Sequence, residues 1–334
     1  MEPVRLFRAA LLLSALVWLN SSAHAQENPQ ERTQAIQVSV DRVNVGVIVT
    51  DSNGHFVEGL RREDFHIFDN GVAQPLTDFA AIEAPAQVLL LIEAGPAVYL
   101  LEGGHLEAAL ALLNGLSPDD RVAVVKYAEA PTALLGFTTN KQAAQAAFGH
   151  LRFNLGFSSL NLSLSVSKTF EWLASVQGKK SIVLLSTGVD TSPSNEATMV
   201  MQKLKISDVR LLAVSLTGGL RNSQPANKKK SPAKSSTEAM QQFEQADQLL
   251  KRMAESTGGR AYFPRNANEF SAAYAEIAQL VRHEYSLAFA LPARDGLVHA
   301  IEVRVDGPRA STPNAPVSTY SVDHRRAYLA PAPK

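Results

Sequence analysis

The chain has 334 residues, 46% of them hydrophobic, enough apolar surface for one large core or two smaller ones and too much for a chain disordered over most of its length. Its 32 basic and 32 acidic residues cancel, so no global field draws it to nucleic acid or an anionic surface. No cysteine is present, which excludes disulfides, a thiolate metal ligand, a thiol nucleophile and a lipid-modified N-terminal cysteine.

Arg5 and Arg8, the apolar run Ala9 to Leu19, and Ser21-Ser22-Ala23-His24-Ala25 follow the three-part layout of a secretory signal over residues 1–25, with cleavage before Gln26. The apolar run, about 11 residues, is shorter than the roughly 20 that cross a bilayer. The mature chain is therefore expected to be periplasmic or secreted, with no transmembrane segment after cleavage. Residues 26–34 read as a flexible leader and 35–84 as an N-terminal β segment. In it Val43, Val45, Val47 and Val49 alternate with small or polar residues, as in a half-buried strand, and Asp51-Ser52-Asn53-Gly54 turns the chain. A second strand over Phe65 to Asp69 ends in Asp69-Asn70-Gly71, a hairpin signal because Asn and Gly tolerate positive φ.

Residues 85–283 alternate apolar strands with amphipathic helices, the pattern of a mostly parallel sheet covered on both faces. Strands are predicted at Val88 to Glu93, Arg121 to Ala128, Ser181 to Ser186, Arg210 to Leu216 and Arg260 to Phe263, with an antiparallel edge strand at Ala133 to Phe137. Helices are predicted at Leu106 to Leu113, Lys141 to His150, Leu160 to Ser175, Glu196 to Leu204, Thr237 to Ser256 and Ala267 to Arg282. In the last, Phe270, Tyr274, Ile277 and Val281 recur at helical spacing and read as core. Residues 218–236 carry Arg221, Lys228, Lys229, Lys230 and Lys234, no acidic residue, two Pro and several Ser, and read as a disordered basic insertion. Residues 284–334 return to β patterning.

Three segments carry a family resemblance. Val88-Leu89-Leu90-Leu91-Ile92-Glu93-Ala94-Gly95-Pro96-Ala97 is a strand with a carboxylate at its end. Gly156-Phe157-Ser158-Ser159-Leu160 leads into a helix, and Ser181 to Ser186 runs into Thr187-Gly188-Val189-Asp190. Together they resemble a von Willebrand factor A domain, which implies a Rossmann-like α/β fold. The resemblance also implies a metal-ion-dependent adhesion site, in which an Asp-x-Ser-x-Ser loop, a Thr and a further Asp hold a divalent ion. The corresponding positions here are Glu93, Gly95, Ala97, Ser158 (with Ser159 as the alternative register) and Thr187, so the site reads as degenerate. Val47 to Gly54, Val57-Glu58-Gly59-Leu60 and Glu63-Asp64-Phe65 are similar to the β segment ahead of the A domain in related proteins known from Acidobacteria. On that plan the two ends of the chain pair into one small β-sandwich.

A divalent ion of the Mg²⁺ kind wants about six oxygen ligands. Gly95 and Ala97 offer no side-chain oxygen, Thr187 is neutral, and Pro96 stiffens the loop and removes an amide donor. Glu93 then reads as a strand-end carboxylate held by loop amides, and Asp190 as a cap for a turn or the next helix. Asp119 and Asp120 are the other acids considered. The expectation is no cofactor and no strongly bound metal; the alternative is a weak Mg²⁺ or Ca²⁺ site built from Glu93, Ser158 and Asp190.

Enzyme signatures are poorly represented: Gly156 to Leu160 lacks the second glycine of a nucleophile elbow, and His283-Glu284 has no second histidine four residues on. The sequence therefore reads as an exported, non-catalytic binding or scaffolding module for an unidentified protein partner rather than nucleic acid. The contacting loops are expected at the carboxyl ends of the strands: Glu93 to Val98 with Gly95, Pro96 and Ala97, Ser158 to Asn161, and Thr187 to Ser192. Its alternatives are a metal-dependent adhesion module, a hydrolase on the same fold, and a structural subunit that makes its contacts through the sandwich.

Overall fold

The valines that alternate near the start of the chain make one strand. β1 (Arg42–Thr50) buries Val43, Val45, Val47 and Val49 on one face, while Ile48 on the other joins the core beneath the central sheet. The computed structural model describes residues 42–80, 85–99, 104–152, 159–191, 194–223, 233–306 and 320–333; the signal and leader segments read from the sequence lie outside them. β2 (Phe65–Asp69) turns into β3 (Val72–Gln74) through Asn70 and Gly71, at φ 47° and 81°, the doubly left-handed pair of a tight hairpin. A fourth strand, β4 (Leu76–Ala80), has weaker alternation and was not predicted.

The middle of the chain forms the expected doubly wound sheet. Its strands are β5 (Ala86–Glu93), β6 (Arg121–Tyr127), β7 (Pro131–Thr138), β8 (Lys179–Ser186), β9 (Val209–Ser215) and β10 (Ala261–Tyr262), in the order β10-β9-β8-β5-β6-β7. All neighbours are parallel except β6 and β7. Every residue of β5 and β8 is buried, as a central strand with both faces covered requires. The helices are α1 (Pro96–Tyr99), α2 (Gly104–Gly115), α3 (Lys141–Phe148), α4 (Leu162–Ala174), α5 (Ser194–Ile206), α6 (Thr217–Ser223), α7 (Ala233–Ser256) and α8 (Ala267–Arg282).

Alternation along β5 assigns the two cores. Val88, Leu90 and Ile92 pack with Leu112, Phe148, Phe270, Tyr274 and Ile277 of α2, α3 and α8; Leu89 and Leu91 pack with Leu162, Phe170, Val200 and Leu250 of α4, α5 and α7. Burying each such side chain contributes about 1.5–3 kcal/mol. The segment expected to be a disordered insertion is helical at both ends, since α6 runs to Ser223 and α7 begins at Ala233. Residues 224–232 lie outside the described residues.

The C-terminal strands β11 (Tyr285–Ala290), β12 (Val298–Val305), β13 (Ser321–His324) and β14 (Ala327–Leu329) pair with the N-terminal ones, as expected. One sheet has the order β13-β1-β11-β4 and the other β14-β12-β2-β3. Val45, Val47, Phe65, Ile67, Leu287, Phe289, Ile301 and Val303 fill the space between them.

The sandwich is fastened to the amino edge of the central sheet. Arg210, at the start of β9, is buried; its Nε donates to Glu284 Oε2 at 2.7 Å and its Nη2 to the Gly46 carbonyl at 3.1 Å. Gly46 is required by that approach, because a Cβ there would lie 2.4 Å from Glu284 Oε1. Buried Arg325 adds bonds to the carbonyls of Ile206 and Asn44. The junction occupies the amino edge, and among the described residues the sandwich does not cover the carboxyl edge of the sheet.

Candidate functional site at the carboxyl edge of the central sheet

Parallel register brings four polar residues into one row at the strand ends. Glu93 of β5 pairs with Tyr127 of β6; on its other side Ile92 pairs with Leu185, which puts Glu93 beside Ser186 of β8, and Ser186 pairs with Ser215 of β9. Glu93 shares the side of the strand that carries Leu89 and Leu91, and it is completely buried.

Its carboxylate is enclosed by donors. Oε2 accepts from the Thr187 amide at 2.7 Å, Thr187 Oγ1 at 2.9 Å and Ser186 Oγ at 3.1 Å, and the Tyr127 hydroxyl oxygen lies 3.2 Å away; Oε1 lies 3.1 Å from Thr187 Oγ1. Tyr127 and Ser186 have one hydroxyl proton each and are 2.7 Å apart, so a relay from Tyr127 to Ser186 to Glu93 uses each proton once. Ser186 Oγ also accepts from the Gly188 amide at 2.8 Å. Burial raises the Glu93 pKa, and the bonds from Thr187, Ser186 and Tyr127 oppose that shift. Burial, reinforced by the Glu93 charge, raises the Tyr127 hydroxyl well above its ordinary range.

The neighbouring loops are bonded to one another. Thr191 N donates to the Leu160 carbonyl at 2.8 Å and Leu160 N to Thr191 Oγ1 at 2.9 Å; Asn161 N and Nδ2 reach the carbonyls of Ala128 and Glu129 at 2.8 and 2.9 Å. Asp190 accepts from the Ser163 amide at 3.1 Å and from the Ser163 hydroxyl. It thus caps α4, which precedes it in the chain, where the sequence suggested a turn or the next helix. Gly188, at φ 73°, passes beneath α7, where a Cβ would lie 2.6 Å from the Ala246 carbonyl oxygen.

A second carboxylate is enclosed in the same way: Asp247 Oδ1 accepts from Ser215 Oγ at 2.6 Å and Thr217 Oγ1 at 2.7 Å, while Arg221 Nη2 lies 3.0 Å from Oδ2. Arg221, assigned from sequence to a solvated basic insertion, is an ordered partner on α6. Beside this row a cleft of about 380 Å³ is lined by Ala94, Lys126, Glu129 and Arg152 among others.

Of the residues picked out from the sequence, the structure brings Glu93 and Thr187 into direct contact. Asp190 is turned to α4. Gly95 is buried, Pro96 is exposed at the start of α1, which also contains Ala97, and Ser159 is exposed. Ser158 lies outside the described residues. Asp120 sits at the opposite edge, accepting from the amides of Ala86 and Ser117, both at 2.7 Å. Sequence reasoning missed Tyr127 and Ser186. Their signal was present, since both fall at the ends of predicted strands that flank β5 in a parallel sheet.

The family resemblance implies a divalent ion at this edge of the sheet. Such an ion needs free oxygen lone pairs facing a common point, whereas Glu93 Oε2 already accepts from three donors, the Thr187 hydroxyl donates to Glu93, and Asp190 is engaged by Ser163. As arranged, these side chains do not fit a divalent ion. Among the described residues no three His, Asp or Glu side chains converge as metal ligands.

No family model matches the chain. The UPF0353 protein MAV335 of Mycobacterium avium is 25% identical over 236 residues, which cover 65% of this chain and 67% of that one. Among solved structures, a von Willebrand factor type A protein from Catenulispora acidiphila is similar at a TM-score of 0.46 and 11% identity, over 88% of this chain and 75% of that one. The manganese-loaded TRAP protein of Plasmodium vivax gives 0.42 and 13% over 81% and 100%, and BatB of Bacteroides thetaiotaomicron gives 0.40 and 11% over 59% and 97%. The fold itself is read from the chain's own strands. Counted from β5, the sheet order is 3-2-1-4-5-6 with the third strand antiparallel, a doubly wound α/β sheet of the Rossmann-like kind that the resemblance implies.

Proposed function

We propose that this chain is an exported protein-binding or scaffolding module that meets its partner through the loops at the carboxyl edge of the central sheet, without a metal ion. The observation that supports it most is the enclosure of Glu93. A carboxylate that accepts from one amide and two hydroxyls, one of them backed by Tyr127, braces the ends of β5, β6 and β8 from within. The bonds from Thr191 to Leu160 and from Asn161 to Ala128 and Glu129 then hold the loops as one preorganised surface. Preorganisation lowers the ordering cost of association. Exposed Pro96, Glu129, Ser159 and Thr191 lie on that surface. On this reading the adhesion site that the resemblance implies is degenerate, and Thr187, where a second carboxylate would be, serves as a hydrogen-bond donor to the first.

The test is partner capture from an envelope extract with the natural chain, a loop variant carrying Pro96→Arg, Glu129→Arg and Ser159→Arg, and a sandwich variant carrying Val298→Arg. The proposal expects capture to fail in the loop variant only and to survive chelation of divalent ions. Capture lost on chelation would instead support metal-dependent adhesion, and capture lost only in the sandwich variant would support a structural subunit.

A further inference from the structure

The sandwich holds a buried ionic cluster that the carboxyl-edge surface does not use. His299 of β12 is 6% exposed and packs beside the Tyr328 ring, with centroids 5.1 Å apart. Its Nδ1 lies 3.0 and 2.9 Å from the two carboxylate oxygens of Asp69, which is itself buried at the end of β2. Its Nε2 lies 3.0 Å from Asp295 Oδ2, in the turn that leads into β12. An ionised carboxylate only accepts, and a neutral imidazole has a single N–H. A neutral ring would therefore aim one lone pair at an oxygen lone pair; the doubly protonated ring alone satisfies both sides.

We propose that Asp69, His299 and Asp295 form a proton-dependent latch, which fastens the β12–β14 end of the sandwich to β2 while the imidazole is charged and loosens it when the ring loses its proton. The parts it joins are local and short. β14 has three residues and pairs with β12 through Val298 and Leu329, His299 and Tyr328, and Ala300 and Ala327. The hairpin turn is tied to the same place, since Ala300 N donates to Asn70 Oδ1 at 2.9 Å. Leu297, Val298 and Leu329 are exposed at this end, so loosening it changes the presentation of an apolar patch.

The charged and titratable groups around the ring agree with the geometry. Asp69 faces it from β2, Asp295 from the turn and Tyr328 from β14, with Arg325 acting on Tyr328. The bond to Asp69 first, and that to Asp295 second, raise the His299 pKa above its ordinary 6.5 against the opposing effect of burial. A histidine raised in the fold contributes stability that is complete below its unfolded pKa and disappears as pH rises through its folded one.

The test is nitrogen-15 NMR of the histidine rings across pH 5–10, with amide exchange of Val298–Ala300 and Ala327–Leu329 followed in parallel, on the natural chain and on Asp295→Asn. The Asn variant keeps the buried Asp69 contact and so the fold. The latch predicts both His299 nitrogens protonated at pH 6, a titration point above 6.5, and exchange at these amides that rises more steeply with pH than intrinsic chemistry requires. Asp295→Asn should lower the titration point and flatten the extra slope. A neutral single tautomer at pH 6, or exchange that follows the intrinsic rate throughout, would overturn the proposal, as would an Asp295→Asn chain that titrates like the natural one.

Discussion

Glu93 is a strand-end carboxylate turned inward to neighbouring donors rather than outward to solvent. The same carboxylate that could face a ligand is surrounded by the Thr187 amide and the hydroxyls of Thr187, Ser186 and Tyr127. Glu93→Ala strands those donors in a buried place and should cost about 2–4 kcal/mol, read from urea unfolding. Glu93→Gln keeps the shape and an acceptor oxygen and should cost less than Glu93→Ala. The pair also differ in pH response. Because the folded pKa of Glu93 is raised, the folded state binds its proton more tightly than the unfolded one, and the natural chain should lose stability relative to Glu93→Gln as pH rises from below 4.5 through the folded pKa. Parallel unfolding curves at pH 4 and pH 7 measure this; a constant difference between the two proteins would contradict it.

At the scale of elements, the loop after β8 has two structural duties. Asp190 caps α4, so Asp190→Ala should destabilise by about 1 kcal/mol. Gly188→Ala forces a left-handed position and a contact 2.6 Å from the Ala246 carbonyl oxygen. It should cost more than the cap does, with a lowered melting temperature as the readout. The regular elements were legible in the sequence because apolar runs and helical spacing reflect burial directly, as with Val88 to Ile92 and with Phe270, Tyr274, Ile277 and Val281. What was not legible depended on pairing. The capping of α4 by Asp190 and the enclosure of Asp247 by Ser215, Thr217 and Arg221 join residues far apart in the chain. Nor did the short helices α1 and α6, which contain Pro96 and Gly218, carry enough periodic signal to stand out from loop.

For the molecule as a whole, the sandwich and the α/β sheet depend on a buried junction. Arg210 and Glu284 are paired away from water, and Arg210 also bonds to Gly46. Arg210→Ala leaves Glu284 without its partner and should cost about 3–5 kcal/mol. Replacing both residues together, as in Arg210→Met with Glu284→Gln, should cost less than the sum of the single changes, measured by a double-mutant cycle. The junction consumes the amino edge of the sheet, and the proposed binding surface lies at the opposite edge, where Glu93 acts as an internal brace. That role is tested most directly by calorimetric and thermal-shift titration of the chelated protein with Mg²⁺, Ca²⁺ and Mn²⁺, beside a variant carrying Glu93→Asp, Gly95→Ser, Ala97→Ser and Thr187→Asp. The account predicts no response in the natural chain. Stabilisation of the natural chain by about 2.7 kcal/mol at a hundredfold excess of ion over its dissociation constant would contradict it and return Glu93 to the role of metal ligand.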